Sequence, residues 1–327
     1  MGRSGLAIRL ESMRAVLAVR KAVRPWVQLA DSRILIGVSG GADSLALAIA
    51  AQIECSAVGI DLVAIIIDHQ LQEGSLEVAL HCQEELLALG LTKVEIVPVT
   101  VQLQDGMESS ARRARYAAFD KAIAEYHPDY FLLAHTKNDQ AESVLLGLAR
   151  GSGTRSLSGM AEVNGSYIRP LLEVDRATTE LACAESGITP WVDPHNSDMN
   201  YARVRVRQVL LPELEANLGP GVIEALARSA RILREDADAL DFLAKEYLGS
   251  QDPLSLETEG LLGLAKAVRV RVLRAAIYSA GAPEGTLSAD HLAPVEALIT
   301  DWHGQGEISL PGGVKVLRIS GRLSLLP

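Results

Sequence analysis

Residues Ile34 to Leu47 read ILIGVSGGADSLAL, an apolar strand that runs into Ser39-Gly40-Gly41-Ala42-Asp43-Ser44 and at once into a helix-forming apolar run. Adjacent glycines allow positive φ and close approach of the backbone to an anion, and a helix opening near Ser44 points its unpaired N–H groups at the same spot. The stretch therefore reads as a phosphate-binding turn, with Ser39, Gly40, Gly41 and Ser44 as the binders. No lysine follows the glycines, as a Walker A loop requires, and Asp43 stands where that loop has no carboxylate. Asp43 suits a phosphate–metal network, or simply the first turn of a helix, where an acid complements the dipole.

Outward from this turn, the apolar runs ILIGV, LVAIII, KVEIVPV and YFLLAH alternate with helical stretches, which predicts a parallel, doubly wound α/β sheet. Ligands of such sheets bind at the carboxyl ends of the strands. Polar residues follow those ends here: Ser39 to Ser44, then Asp68-His69-Gln70, then His135 to Asp139. A helix is expected over about Ala7 to Arg24, ended by Pro25, and another from Glu108 to Tyr126 with Arg112 and Arg115 one turn apart. After Arg207 the texture changes. A breaker-rich hinge, Asn217-Leu218-Gly219-Pro220-Gly221, leads into amphipathic helices over Val222 to Tyr247, Leu256 to Ala280 and Ser288 to Trp302, then strand-like runs around Pro311-Gly312-Gly313. The division expected is a nucleotide-binding domain over 1–216 and a smaller, mainly helical domain over 217–327.

The 327 residues are 48% hydrophobic and carry a net charge of −10, yet basic residues gather at Arg112-Arg113-Arg115, at Arg150 to Arg155 and at Arg203-Arg205-Arg207. Such patches bind a polyanion on an acidic protein, because counterion release depends on the nearby phosphates; solvated helix faces explain them equally. Three scattered cysteines, Cys55, Cys82 and Cys183, form no C-x-x-C, so neither a disulfide framework nor a zinc or iron–sulfur site is indicated. No apolar run approaches a membrane span or a signal-peptide core, and a cytoplasmic location is expected.

The S-G-G-x-D-S loop resembles the pyrophosphate loop of the PP-loop ATP pyrophosphatases. Further segments narrow the resemblance: IDHQL over 67–71, ESSARRARY over 108–116, LLAHTKNDQAESVLLGLARGSG over 132–153, then IRPLLEV, DPHNSD and RVRVRQVLLPEL between Ile168 and Leu214. In this order they are similar to the tRNA(Ile)-lysidine synthase family. That family's reaction adenylates the 2-carbonyl oxygen of the wobble cytidine in a CAU-anticodon isoleucine tRNA. The amine of free lysine then attacks the same carbon, and AMP and pyrophosphate are released. The resemblance implies ATP and Mg²⁺, with Asp43 as the metal-linked acid. It places Asp68, His69, Arg112, Arg115 and His135 around the nucleotide, and makes Asp139, Glu142 and Arg205 catalytic. Departures are Gln70 for the usual glycine, Asn138 for an aspartate and Val204 for an asparagine.

Each assignment has a structural alternative. Asp68-His69 makes an Asx-type turn, the arginines of 112–115 a solvated face, and His135 a core-edge histidine. Thr136-x-x-Asp139 is a capping-box pattern. The arginines at 203, 205 and 207 share one face if the segment is extended, and suit a phosphate backbone or a charged strand edge. Rival functions are another PP-loop adenylating enzyme, such as a tRNA thiolase or an NAD or GMP synthetase, and a non-catalytic nucleotide- or RNA-binding module.

Overall fold

The computed structural model describes residues 13–70, 74–101, 106–151, 153–191, 193 and 197–327, excluding the side chain of Glu108. The chain divides into two compact units, 1–231 and 232–327. The division falls inside the helix Val222–Gly249, downstream of the hinge expected at 217–221. The beginning of the helix expected from Ala7, residue Leu71 and the centre of the DPHNSD segment lie outside the described residues.

In the first unit, six strands lie in the order β3-β2-β1-β4-β6-β5: β1 Arg33–Val38, β2 Asp61–Asp68, β3 Lys93–Pro98, β4 Tyr130–Leu132, β5 Val163–Asn164 and β6 Tyr167–Ile168. The first five in that order pair parallel, and β5 closes the edge as an antiparallel partner of β6. Ile34, Leu35 and Ile36 are fully buried, as expected for a central parallel strand covered on both faces. Helices Arg14–Gln28, Ala42–Val58 and Arg176–Glu185 contribute to the core on one face, and Met107–Tyr126 covers the other. The doubly wound sheet is therefore present, and its strand order reverses at β1, between β2 and β4. That crevice is where the topology places a ligand.

Pro25 does not end the first helix, which continues to Gln28. It stands in the last turn and removes one i→i−4 hydrogen bond there, while Val27 and Trp26 beyond it are drawn into packing, Trp26 edge-on to Tyr130 at 5.9 Å. The same helix begins on a remote carboxylate: Glu185 accepts from the N–H groups of Ala15 and Val16 at 3.1 and 3.0 Å, complementing the positive end of the dipole. Its inner face holds Arg20 against Glu54, with Nε at 2.7 Å, while Arg24 Nε reaches the other carboxylate oxygen at 2.9 Å.

The second unit holds β7 Ser255–Glu257, β8 Ile308–Ser309, β9 Lys315–Ile319 and β10 Arg322–Leu326, an antiparallel sheet in the order β7-β10-β9-β8 packed with helices. The helix expected over Leu256 to Ala280 is three elements: β7 Ser255–Glu257, helix Thr258–Leu262 and helix Lys266–Ser279. Leu256 is claimed by the sheet, where it pairs with Leu323 and is fully buried. Tertiary pairing overrides the helical periodicity that Leu256 shares with the residues after it. At the expected Pro-Gly-Gly turn Gly312 takes φ 81°, and a Cβ there would meet Pro283 Cδ at 2.7 Å.

Replacing Glu54 with alanine leaves Arg20, only 9% exposed, as a buried cation without its partner. Removal of one member of such a pair costs about 3 kcal/mol. A fall of that order in urea-unfolding free energy, with a smaller one for Glu54→Gln, is the expected result.

Candidate functional site

Beyond the carboxyl ends of β1, β2 and β4 lies a cavity of about 1280 Å³, larger than one small ligand needs. Its floor is the turn after β1. Gly40 takes φ 81°, and its carbonyl accepts from Trp191 N–H at 3.0 Å, which turns that oxygen away from the loop's interior. Gly41 has φ −76° and begins the helix Ala42–Val58 as its N-cap, so only Gly40 uses the conformational freedom expected of both. The Ser44 hydroxyl donates to the Gly41 carbonyl at 2.9 Å and accepts from Ser39 N–H at 3.1 Å. Ser44 thus braces the turn from within. The Ser39 hydroxyl, 3.2 Å from that of Ser44, lies on the cavity side.

Three carboxylates and three guanidiniums meet above this floor. Arg176 is the hub: Nε lies 3.4 Å from Asp43, Nη2 3.0 Å from Asp139 and Nη1 3.3 Å from Glu142. Arg207 grips Glu142 with two nitrogens, at 2.7 and 3.0 Å, and reaches Asp139 at 3.3 Å. Arg203 approaches Glu142 more loosely, at 3.8 Å. Asp139 also closes the expected capping box, accepting from Thr136 N–H at 2.8 Å and from its hydroxyl at 3.0 Å. It is therefore both a helix-start acid and a member of the cluster, since one oxygen serves each role. Burial opposes ionisation of Asp139, but Arg176, the Thr136 N–H, His135 and Arg207 outweigh it and hold the group below the ordinary carboxylate range. Asp43 goes the other way. Burial raises its pKa despite Arg176 and the Thr179 hydroxyl, which donates to its Oδ1.

The arginines at 203, 205 and 207 are not extended. Helix Ala202–Arg205 runs into a π-helical turn, Val206–Leu210. Helical geometry puts Arg203 and Arg207 on one face, toward Glu142, and sends Arg205 away, where Nη1 donates to the carbonyls of Met199 and Asn200 at 2.7 and 2.8 Å. The structure does not bring Arg205 to the acidic pair as expected. Two members of the cluster escaped the sequence reading: Arg176 and the fully buried Thr179. The signal was present. An arginine just after the N-cap Asp175 stands where the helix dipole disfavours a cation, which implies a compensating carboxylate elsewhere.

On the β2 side, Asp68 Oδ1 accepts from Gln70 N–H at 3.0 Å, the Asx turn anticipated, and Gln70 is held at φ 53°. That backbone conformation explains the usual glycine at this place. Arg115 directs Nε and Nη2 at His69 Nε2, at 3.3 and 3.2 Å. Because a guanidinium only donates, Nε2 is the acceptor and Nδ1 carries the proton. Burial, then Arg115, lowers His69 to about 4, so it is neutral at physiological pH. Arg112 lies over the Tyr116 ring at 4.9 Å. His135 is likewise lowered to about 4, chiefly by burial, with Asp139 opposing and Arg169, Arg112 and Arg203 reinforcing the shift. Asp68, His69, Arg112, Arg115, Tyr116, His135 and Arg203 line the cavity, together with Asp43 and Asp139. The cysteines are free and buried, and burial pushes each thiol up to about 12. Among the described residues no group of three or more His, Cys, Asp or Glu side chains could hold a metal ion unaided.

The turn, the switch-point crevice and the acidic helix start define a PP-loop nucleotide-binding protein. The model of the PP-loop domain matches residues 13–214, and that of the TilS substrate binding domain matches 256–324. The chain is 48% identical to a tRNA(Ile)-lysidine synthase of Leifsonia xyli subsp. xyli over 96% of its own length and 99% of the relative's. It is 47% identical to the synthase of Thermobifida fusca, covering 94% of each chain, and 50% identical to that of Streptomyces coelicolor, covering 89% and 84%. It belongs to the tRNA(Ile)-lysidine synthase family. A U34-tRNA thiolase from Methanococcus maripaludis shares the fold, with a TM-score of 0.55 and 18% identity over 67% of this chain and 80% of the thiolase.

Asp43 carries a cost. A carboxyl whose pKa is raised on folding binds its proton more tightly when folded. Its stabilising effect is thus present below the ordinary value of 3.8 and lost as pH rises above it. Asp43→Asn keeps an acceptor for Thr179 and leaves Arg176 with Asp139 and Glu142. The variant is expected to melt higher than the parent at neutral pH, with the advantage shrinking toward pH 3, in calorimetric scans across pH.

Proposed function

We infer that the chain forms lysidine: it spends ATP to join lysine to the wobble cytidine of the isoleucine tRNA that reads AUA. The observation carrying this reading is identity of 47–48% to two lysidine synthases over at least 94% of both chains, with the phosphate loop and Asp139 lining one cavity and Glu142 joined to Asp139 through Arg176 and Arg207. Sulfur transfer is disfavoured by cysteines that are buried, separate and strongly protonated. Action on ATP and tRNA fits the cytoplasm, and no described helix is long and apolar enough to cross a membrane.

The residues divide the work by charge. Backbone N–H groups and Ser39 of the turn after β1 would take the pyrophosphate of ATP. Asp43 fits Mg²⁺, which commonly uses one or two protein carboxylates and completes its shell with phosphate oxygens and water. When bound, that ion supplies charge neutralisation between phosphates. His69 and Arg115 present donors to the nucleoside side of the cavity, and Arg112 offers a flat cation on which a splayed-out base stacks. Asp139 and Glu142 would receive lysine's ammonium, in place of contacts now made by Arg207. Service as the amine's proton acceptor would require raised basicity at Asp139. Its proton affinity is lowered here, so its role in this arrangement is to hold the cation.

Mass analysis of the tRNA after incubation with ATP and lysine tests the function: a lysine-sized gain on the anticodon cytidine is expected, and AMP release without it would overturn the reading. Ser39→Ala should slow tRNA-dependent pyrophosphate release while tRNA binding, built from distributed basic contacts, stays close to the parent's. Asp139→Asn should still adenylate tRNA but transfer lysine at least about tenfold more slowly, the scale for losing a charged hydrogen-bond partner. Lysine's amine has a pKa of about 10.4, so raising the pH supplies neutral amine and should restore part of that step. Normal lysine transfer by Asp139→Asn at every pH would leave Asp139 as a capping residue alone.

A further inference from the structure

The phosphate loop is held partly by itself and partly from outside. Ser39 N–H is bonded locally, to the Ser44 hydroxyl at 3.1 Å, and the Gly41 carbonyl accepts from Leu45 N–H at 3.0 Å and from the same hydroxyl at 2.9 Å. The carbonyl between them, that of Gly40, is held by a residue remote in sequence, Trp191, whose N–H lies 3.0 Å away. A Gly-Gly peptide is the easiest linkage to turn over, because neither flanking residue has a Cβ to obstruct the rotation. Gly40 sits at φ 81°, and a Cβ there would meet Cys82 and Trp191 at 3.8 Å, an ordinary contact. Packing around Gly40 is thus loose, and the hydrogen bond decides which way the peptide faces. In a trans peptide the C=O and N–H point in opposite directions. With the Gly40 oxygen drawn to Trp191, the N–H of Gly41 faces the other way, and Gly41, unlike Gly40, lines the cavity. Turned over, the same peptide would meet an anion with a carbonyl oxygen instead of a donor. Trp191 is itself tied to the helix that carries Arg176: Ile188 N–H bonds the Cys183 carbonyl at 3.0 Å, and the Cys183 thiol lies 3.3 Å from the Ala42 carbonyl.

We propose that Trp191 is a positioning residue for the pyrophosphate of ATP: its backbone N–H fixes the polarity of the Gly40–Gly41 peptide and so decides whether the loop attracts or repels an anion. The inference rests on the reading of this loop as the pyrophosphate site. The N–H carries the role, and the indole does not. Whatever affinity the hydrogen bond lends to pyrophosphate, bound pyrophosphate returns to the hydrogen bond by the same factor. AMP lacks the two outer phosphates and takes no part in this exchange.

Trp191→Pro deletes the N–H, and Trp191→Phe keeps it with a smaller side chain. The test uses the full chain with isoleucine tRNA, ATP and Mg²⁺, and reads the KM for ATP and the inhibition of adenylation by inorganic pyrophosphate and by AMP. Trp191→Pro should raise the KM for ATP and weaken inhibition by pyrophosphate at least about tenfold, the scale for a hydrogen bond to a charged group, while inhibition by AMP changes less than about twofold. Trp191→Phe should stay within about twofold of the parent for pyrophosphate. Equal weakening of pyrophosphate and AMP marks general damage and overturns the proposal, as does undiminished pyrophosphate inhibition of Trp191→Pro. An equal loss in Trp191→Phe assigns the effect to the indole and overturns it too. The unaltered protein answers the same question if Trp191→Pro does not fold: saturating pyrophosphate should slow hydrogen exchange at the Trp191 amide at least about tenfold, and AMP should not. Exchange equally fast with and without pyrophosphate overturns the proposal. Unaltered protein that neither releases pyrophosphate from ATP nor is inhibited by it refutes the ATP reading itself, whatever Trp191 does.

Discussion

One guanidinium organises the site. Arg176 touches Asp43 from the first helix of the sheet, and Asp139 and Glu142 from the helix after β4. Without a cation between them, three carboxylates in one water-poor crevice would repel one another, and protonation would be the cheapest escape. Arg176 is anchored in turn by backbone: its N–H donates to Asn138 Oδ1 at 2.9 Å, and Lys137 N–H to the Val174 carbonyl at 2.9 Å. Two helix starts are thereby fastened together. The asparagine that departs from the family's usual aspartate supplies the required acceptor without adding a fourth negative charge.

The opposite shifts of Asp43 and Asp139 show how local bonding decides between two acids that share one arginine. Asp139 has a backbone N–H and a hydroxyl aimed at one oxygen, so its charge is dispersed before Arg176 contributes. Asp43 receives a single hydroxyl and a longer contact to the same guanidinium. Poorly solvated charge is expensive to keep and available to an incoming cation, the usual bargain between stability and activity.

The frame of this site was legible because it rests on backbone chemistry. A glycine pair after an apolar run, alternating strands and helices, and a Thr-x-x-Asp start each have a local cause that one sequence displays. Sequence and structure part where distant residues decide. Leu256 fits a helix by local periodicity, but its sheet partner, Leu323, is remote in sequence. Period two and period four both fit three arginines spaced by two, and only packing of Val204 and Val206 selects the helix that turns Arg205 away. The meaning of Arg176 lies in carboxylates more than thirty residues away, which no local pattern displays. The glycine missing at Gln70 was visible, but the left-handed backbone that gives it meaning was not.

The π-helical turn Val206–Leu210 also governs how this sequence drifts. A π turn carries one residue more than an α turn of the same job, so it fixes chain length as well as residue type. Exchanging side chains on its outer face leaves the path of the chain intact. Losing or gaining one residue there rotates everything on one side of the change by about a hundred degrees, the angle per residue of an α-helix. Arg203 and Arg207 would then no longer face Glu142 together. Between these two arginines the number of residues is thus constrained as tightly as the buried Val204 and Val206 constrain their kind.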